Sequence, residues 1–168
     1  MGTLEVLLVS PLRPVQIILG KVVPYFTLSM VNMLVILGIG FFVFDVPVRG
    51  SLILLLSVTL LFILLALSLG IMISTIAKTQ QTAMVISLMG LMLPTMLLSG
   101  FIFPLRNMPE LLQYLSLLMP PRWFLEILRN VMLKGSDITL VWKEVLILVV
   151  MLLFFIGVSV RKFNVRMS

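Results

Sequence analysis

With no cysteine and no histidine among its 168 residues, the chain has no thiol nucleophile, no imidazole base and neither of the side chains that zinc sites favour. Serine proteolysis of the Ser-His-Asp kind is excluded with the histidine. Six carboxylates remain, on Glu5, Asp45, Glu110, Glu126, Asp137 and Glu144. No two of them meet at the centre of an apolar run, so an intramembrane acid–base dyad is not written here. A phosphate-binding loop needs Gly-x-x-x-x-Gly-Lys and then Ser or Thr. Gly20-Lys21 is followed by Val22 and lacks the earlier glycine. The expectation is a chain that is not an enzyme and binds no metal, nucleotide or other cofactor itself.

The side-chain chemistry that is left lies in polar residues embedded in apolar runs, where an unpaired polar group is costly. Asn32 reads either as a contact in a pathway or dimer interface or as an interhelical hydrogen bond. Ser57, Thr59, Ser68, Ser74 and Thr75 can bond to the backbone of their own helix, and Ala66 with Gly70 permits close helix packing. Pro94 has Gly90 before it and Thr95, Ser99 and Gly100 after it. A proline there removes one backbone hydrogen bond and bends the helix, which suits a pore-facing bend or a plain structural kink. Met84, Met89, Met92 and Met96 offer a compliant surface for apolar cargo, and are equally ordinary filler of a lipid-facing helix.

The elements that must hold these residues follow from composition. Hydrophobic residues make up 61% of the chain and charged ones 11%, with a mean hydropathy of +1.28, which excludes an ordinary soluble domain. The net charge of +6 sits on single residues between apolar runs, so it speaks for topology and headgroup contact and against a nucleic-acid partner. A hydrocarbon layer about 30 Å thick needs about 20 apolar helical residues. Four stretches meet that demand, at 22–44, 51–77, 79–105 and 138–160. In the last, Lys143 would snorkel to the interface beside Trp142.

Between the third and fourth stretches, residues 106–135 are too apolar for a free loop. Pro109 suits the first position of a helix that continues through Glu110 and places Leu111, Leu112, Leu115, Leu118 and Met119 on one face, with Pro120-Pro121 ending it. A second amphipathic piece follows, in which Arg122, Glu126 and Arg129 fall at helical spacing and can pair, and Gly135 suits a C-cap. Each piece spans about half a bilayer, so the pair is expected to form a re-entrant or interfacial hairpin. The expected fold is all-α: a polytopic membrane bundle of four transmembrane helices with this hairpin before the last. An even number of spans puts both termini on one side. Six basic residues fall on each side, so we place the termini inside on the clustering of the inner six near helix ends.

Residues 1–20 precede the first span and contain Gly2-Thr3-Leu4-Glu5-Val6-Leu7-Leu8-Val9-Ser10-Pro11-Leu12-Arg13-Pro14, followed by Gly20-Lys21-Val22-Val23-Pro24-Tyr25. A short interfacial helix here can serve as a simple anchor or as a grip for a soluble partner. These strings, together with Leu98-Ser99-Gly100-Phe101-Ile102-Phe103-Pro104, Asn107-Met108-Pro109 and Pro120-Pro121-Arg122-Trp123-Phe124, resemble the ABC-2 type transporter permeases across nearly the whole chain. The resemblance implies the membrane subunit of an ATP-driven exporter in the cell (inner) membrane. It implies an ABC ATPase as partner, with ATP held there, and a second permease subunit in a homo- or heterodimer. By position, Gly2, Thr3, Glu5, Ser10, Pro11 and Arg13 would form the coupling region gripped by the ATPase. Asn32, Pro94, Thr95, Met96 and Ser99 would contact the pathway or the dimer partner, and Pro109, Glu110, Pro120, Pro121, Arg122, Glu126 and Arg129 would build the outer hairpin. A family half has six membrane helices and the Gly-Thr string follows the second, so the chain is expected to be the C-terminal part of a half. The competing reading is a membrane scaffold or degenerate permease fragment that transports nothing.

Overall fold

The computed structural model describes residues 14–77 and 79–165. The coupling string, Gly2 through Arg13, lies outside the described residues. Among the described residues six helices follow one another and there is no strand. Four of them are long and apolar enough to cross a membrane, over Val22–Phe42, Leu52–Ile76, Gln80–Leu98 and Ile138–Ser159.

Helix α1, Pro14–Phe42, carries Pro24 in its interior and stops at Phe42. The chain then folds back on the helix end, where the N–H groups of Val43 and Phe44 donate to Ile39 O and that of Val46 to Gly40 O. Asp45 takes a left-handed φ of 52°, a conformation that a short polar side chain tolerates. Helix α2, Leu52–Ile76, opens on Ser51, whose hydroxyl accepts from the N–H of Leu54 at 3.4 Å, and closes where Ala77 turns extended. Along α2, Ser57, Thr59, Ser68 and Thr75 each donate to a carbonyl one turn back, as their positions predict.

Helix α3, Gln80–Leu98, is not uniform. It is α-helical over Gln80–Val85, widens to a π-helix over Ile86–Met92, and returns to α over Leu93–Leu98. The N–H of Leu93 reaches back to Leu88 O, five residues away. In a straight α-helix the Pro94 ring would press on the carbonyl of Gly90. Widening just ahead of it accommodates the proline without ending the helix. The helix ends at Leu98, short of the expected 105, because Ser99 and Gly100 break it, Gly100 with a φ of 79°.

A 3-10 turn, Leu105–Asn107, leads to α4, Glu110–Leu117, and then α5, Pro120–Lys134. Pro109 is the residue before the first turn of α4, one position earlier than expected. Pro120 and Pro121 open α5 instead of closing α4, which has already ended at Leu117. The first turn of a helix has no use for their missing N–H groups, which is why prolines serve there. Gly135 caps α5 with a φ of 67°, as expected. Helix α6, Ile138–Val165, is the last of the described elements.

Helix α2 is the axis of the bundle. Its Leu55, Val58, Leu65 and Leu69 recur at heptad-like intervals and pack against Val141 and Leu148 of α6 and Ile127 and Val131 of α5. In hydrocarbon this seam is held by close contact and not by exclusion of water. Near its far end the Ser159 hydroxyl donates to Ser68 O at 3.4 Å, so α2 and α6 run side by side in one direction. By contrast α1 buries only Met33 among its described side chains, and none of the span of α3 is buried.

Candidate functional site

Most of the side-chain hydrogen bonds between elements gather at one end of the bundle, where α4 and α5 form a hairpin against α2, α3 and α6. α5 lies along the opening turns of α2. Val131 meets Gly50 just ahead of α2, and Phe124 stacks on Phe62, with ring centroids 4.3 Å apart and planes 10° apart. Phe62 is ten residues past Leu52, about 15 Å along the helix. Buried Ile127 and Val131 face this contact, while Glu126 is exposed.

Two arginines tie the hairpin together. Arg122 Nη1 donates to Gln113 O at 3.0 Å and to the Ser116 hydroxyl, so its positive charge sits at the C-terminal end of α4, where the helix dipole favours it. Its ring neighbour Trp123 lies 5.3 Å from the guanidinium and donates through Nε1 to Leu117 O at 2.9 Å. Arg129 Nη2 donates to Gly100 O at 2.7 Å, which fastens the end of α3 to α5. The helical spacing of Arg122, Glu126 and Arg129 suggests side-chain pairing. Among the described residues both arginines donate to backbone or hydroxyl oxygens instead, across α4 and α3. At the start of the hairpin Gln113 Nε2 reaches Met108 O at 2.8 Å, while Pro109 and Glu110 are exposed.

A second junction joins the hairpin to the α1–α2 loop. The N–H of Arg49 donates to Met132 O at 3.1 Å. A Cβ on Gly50 would lie 2.5 Å from Val131 O, and one on Gly135 would lie 3.2 Å from Arg49 O. Two glycines therefore let two backbones touch where side chains would hold them apart. Sequence reasoning assigned Gly135 to the cap alone and passed over Gly50.

Between α3 and α4 lies a groove of about 450 Å³. Met89, Leu93, Pro94 and Leu97 form its α3 wall, Phe103 and Asn107 come from the connecting loop, and Leu112 of α4 closes it. Of the five residues expected at a pathway or dimer contact, Pro94 lines this groove. Ser99 is buried, and its hydroxyl accepts from the N–H of Phe101 at 3.3 Å, which shapes the turn. Thr95 is half-buried, with its carbonyl accepting from the N–H of Ser99, and Met96 is exposed outside the lining. Asn32 is exposed on α1, away from these contacts. Leu93 and Leu97 were not singled out from sequence, whereas Asn107 entered through the Asn107-Met108-Pro109 string and Leu112 as part of the apolar face of α4. On α6, one carboxylate oxygen of Glu144 is buried with no hydrogen-bond partner among the described residues. No group of three or more His, Cys, Asp or Glu among the described residues is placed to hold a metal ion.

Compared with known families, residues 1–133 match the model of the ABC-2 type transporter. The chain belongs to the ABC-2 type transporter family. This ABC-2 chain is 34% identical over 167 residues to YbhS of Escherichia coli (strain K12), a probable multidrug ABC transporter permease. The alignment covers 99% of the chain and 44% of YbhS. It is 37% identical over 143 residues to YbhR of the same organism, also a probable multidrug ABC transporter permease, across 85% of the chain and 39% of YbhR. ABC transporter G family member 20 of Dictyostelium discoideum is 28% identical over 165 residues, 97% of the chain and 22% of that protein. The chain thus spans less than half the length of these curated relatives. No solved structure matches it. Family and helices together make it a multi-pass membrane protein of the permease type.

Proposed function

We propose that the chain is the membrane-embedded part of an ATP-binding cassette exporter, in which a separate ABC ATPase subunit hydrolyses ATP and drives the membrane helices. The observation that carries this reading is the family match over 133 residues, joined to relatives described as probable multidrug permeases. The cargo class is taken from those relatives. Two copies, or this chain with a homologous permease, enclose the pathway. Gly2, Thr3, Glu5, Ser10, Pro11 and Arg13 form the grip for the ATPase on the cytoplasmic side, where both termini lie.

The hairpin of α4 and α5 is then re-entrant on the opposite face. Its helices of 8 and 15 residues are too short to span. The Phe62–Phe124 stack, about 15 Å along α2, supports a hairpin that dips into the bilayer and returns. Closure of the ATPase moves the coupling region and α1, and biases the bundle between inward-open and outward-open states.

The reading is tested by isolating the tagged chain from its native membrane. An ABC ATPase should accompany it in near-stoichiometric amount, and Glu5→Lys or Arg13→Glu should abolish the association while membrane insertion persists. Retention of the ATPase by both variants would remove the coupling assignment. Isolation of the chain without any ATPase would favour a non-transporting scaffold.

A further inference from the structure

The groove between α3 and α4 has a chemistry that the permease reading does not use. Its volume of about 450 Å³ lies within the range of small-molecule sites. It is an open groove and not a bare helix face: the π-bulged, proline-bent wall of α3, the loop carrying Phe103 and Asn107, and Leu112 of α4 bound it on separate sides. None of the lining residues is charged, and Asn107 supplies the one polar side chain. Along α3 the lining runs from Met89 to Leu98, about 14 Å of helix, with Asn107 beyond that end. Met89 and the leucines adapt to an apolar body, and an amide at one end can both donate and accept. The walls at Met89, Leu93 and Phe103 are more than half exposed on the outside of the bundle, so an occupant enters laterally from hydrocarbon.

We propose that this groove binds one neutral, largely apolar molecule of drug size, oriented by a single hydrogen bond to Asn107. The absence of any lysine or arginine from the lining disfavours a phospholipid, whose phosphate would need a cation. A helix, about 10–12 Å across with its side chains, can cover the mouth of so small a space but cannot fill it. Binding stands independently of transport; that the occupant is exported cargo rests on the proposed exporter function.

The test is photolabelling of the full chain in phosphatidylcholine nanodiscs with an uncharged aryl-diazirine probe bearing one amide. Adducts at Leu93, Leu97, Phe103 or Leu112 should be saturable and competed by the unlabelled amide, whereas those at exposed Leu153 and Phe154 of α6 should rise linearly. Leu93→Trp, at a half-exposed position, should weaken saturable labelling by about tenfold or more, equivalent to about 1.4 kcal/mol. Asn107→Leu should remove the advantage of the amide probe over its hydrocarbon analogue. Groove adducts that rise linearly, that anionic phospholipid competes away, or that vanish when two chains are cross-linked would each overturn the proposal, in favour of a lipid-facing surface, a lipid site or a dimer contact. Saturable labelling without an associated ATPase would leave the site standing and remove only its role in export.

Discussion

Replacing Gly50 by alanine should loosen the hairpin from the α1–α2 loop. The new Cβ would lie 2.5 Å from Val131 O, whereas ordinary contact begins at 3.4 Å, so one backbone must retreat by about 0.9 Å. The Arg49 N–H to Met132 O bond, 3.1 Å long, would then exceed hydrogen-bonding distance. Its loss costs about 1 kcal/mol. Overpacking at the contact adds about 1–3 kcal/mol. Stiffening of the unfolded chain by alanine returns about 0.4–1 kcal/mol, which leaves a net destabilisation of about 1–3.5 kcal/mol. For a chain of this size that corresponds to a fall of about 3–10 °C in apparent Tm. Scanning fluorimetry suits the measurement, because both tryptophans, Trp123 and Trp142, lie at the hairpin end and Trp123 is bonded within the hairpin. Gly38→Ala, where nothing lies within 4 Å of the added Cβ, is the control and should leave Tm unchanged or raise it. Equal Tm values for Gly50→Ala and the control would refute the close backbone contact.

Arg129→Gln should release the end of α3, and amide exchange at residues 100–103 should quicken by about fivefold, as expected for loss of about 1 kcal/mol at a partly exposed bond. Unchanged exchange there would show that Gly100 is held by something else. Phe62→Ala should lower Tm with a loss of about 0.5–1.5 kcal/mol from the stack beyond the packing deficit, and Phe124→Ala on the same background should add little. Additive losses would mean that the rings do not interact. Glu144→Gln should be neutral or stabilising in thermal melts, because a buried carboxylate oxygen without a partner is replaced by an uncharged amide. A marked loss of stability would reveal an ionic partner for Glu144.

The spans were legible because a run of about 20 apolar residues has few uses outside a bilayer. α2 is the clearest case, with Ser51 and Ala77 marking its ends in sequence and in space. The self-bonded serines and threonines were legible for a similar reason, since their acceptors lie one turn away in the same helix. The π-helix of α3 was not, because Pro94 announces a disturbance but not the way the backbone will absorb it. The early end of α3 hid in an unbroken apolar string, where a left-handed Gly100 carries no hydropathy signal. The partners of Arg122 and Arg129 were hidden too, as they are backbone and hydroxyl oxygens on other elements, and side-chain spacing reports only neighbours on the same helix. Gly50 shows the same limit at the loop. Its role is set by Val131, far away in sequence, and a lone glycine beside an arginine reads as an ordinary turn.

The proposed exporter function requires that this ABC-2 chain convert the work of a partner ATPase into movement of its helices. The most direct measurement is ATP hydrolysis by the co-purified complex in nanodiscs, compared between the wild-type chain and Glu5→Lys and Arg13→Glu chains added back to the isolated ATPase. Hydrolysis should depend on the wild-type chain and fall to the rate of the free ATPase with either variant. Hydrolysis that is indifferent to the chain, or unchanged by both substitutions, would contradict the account.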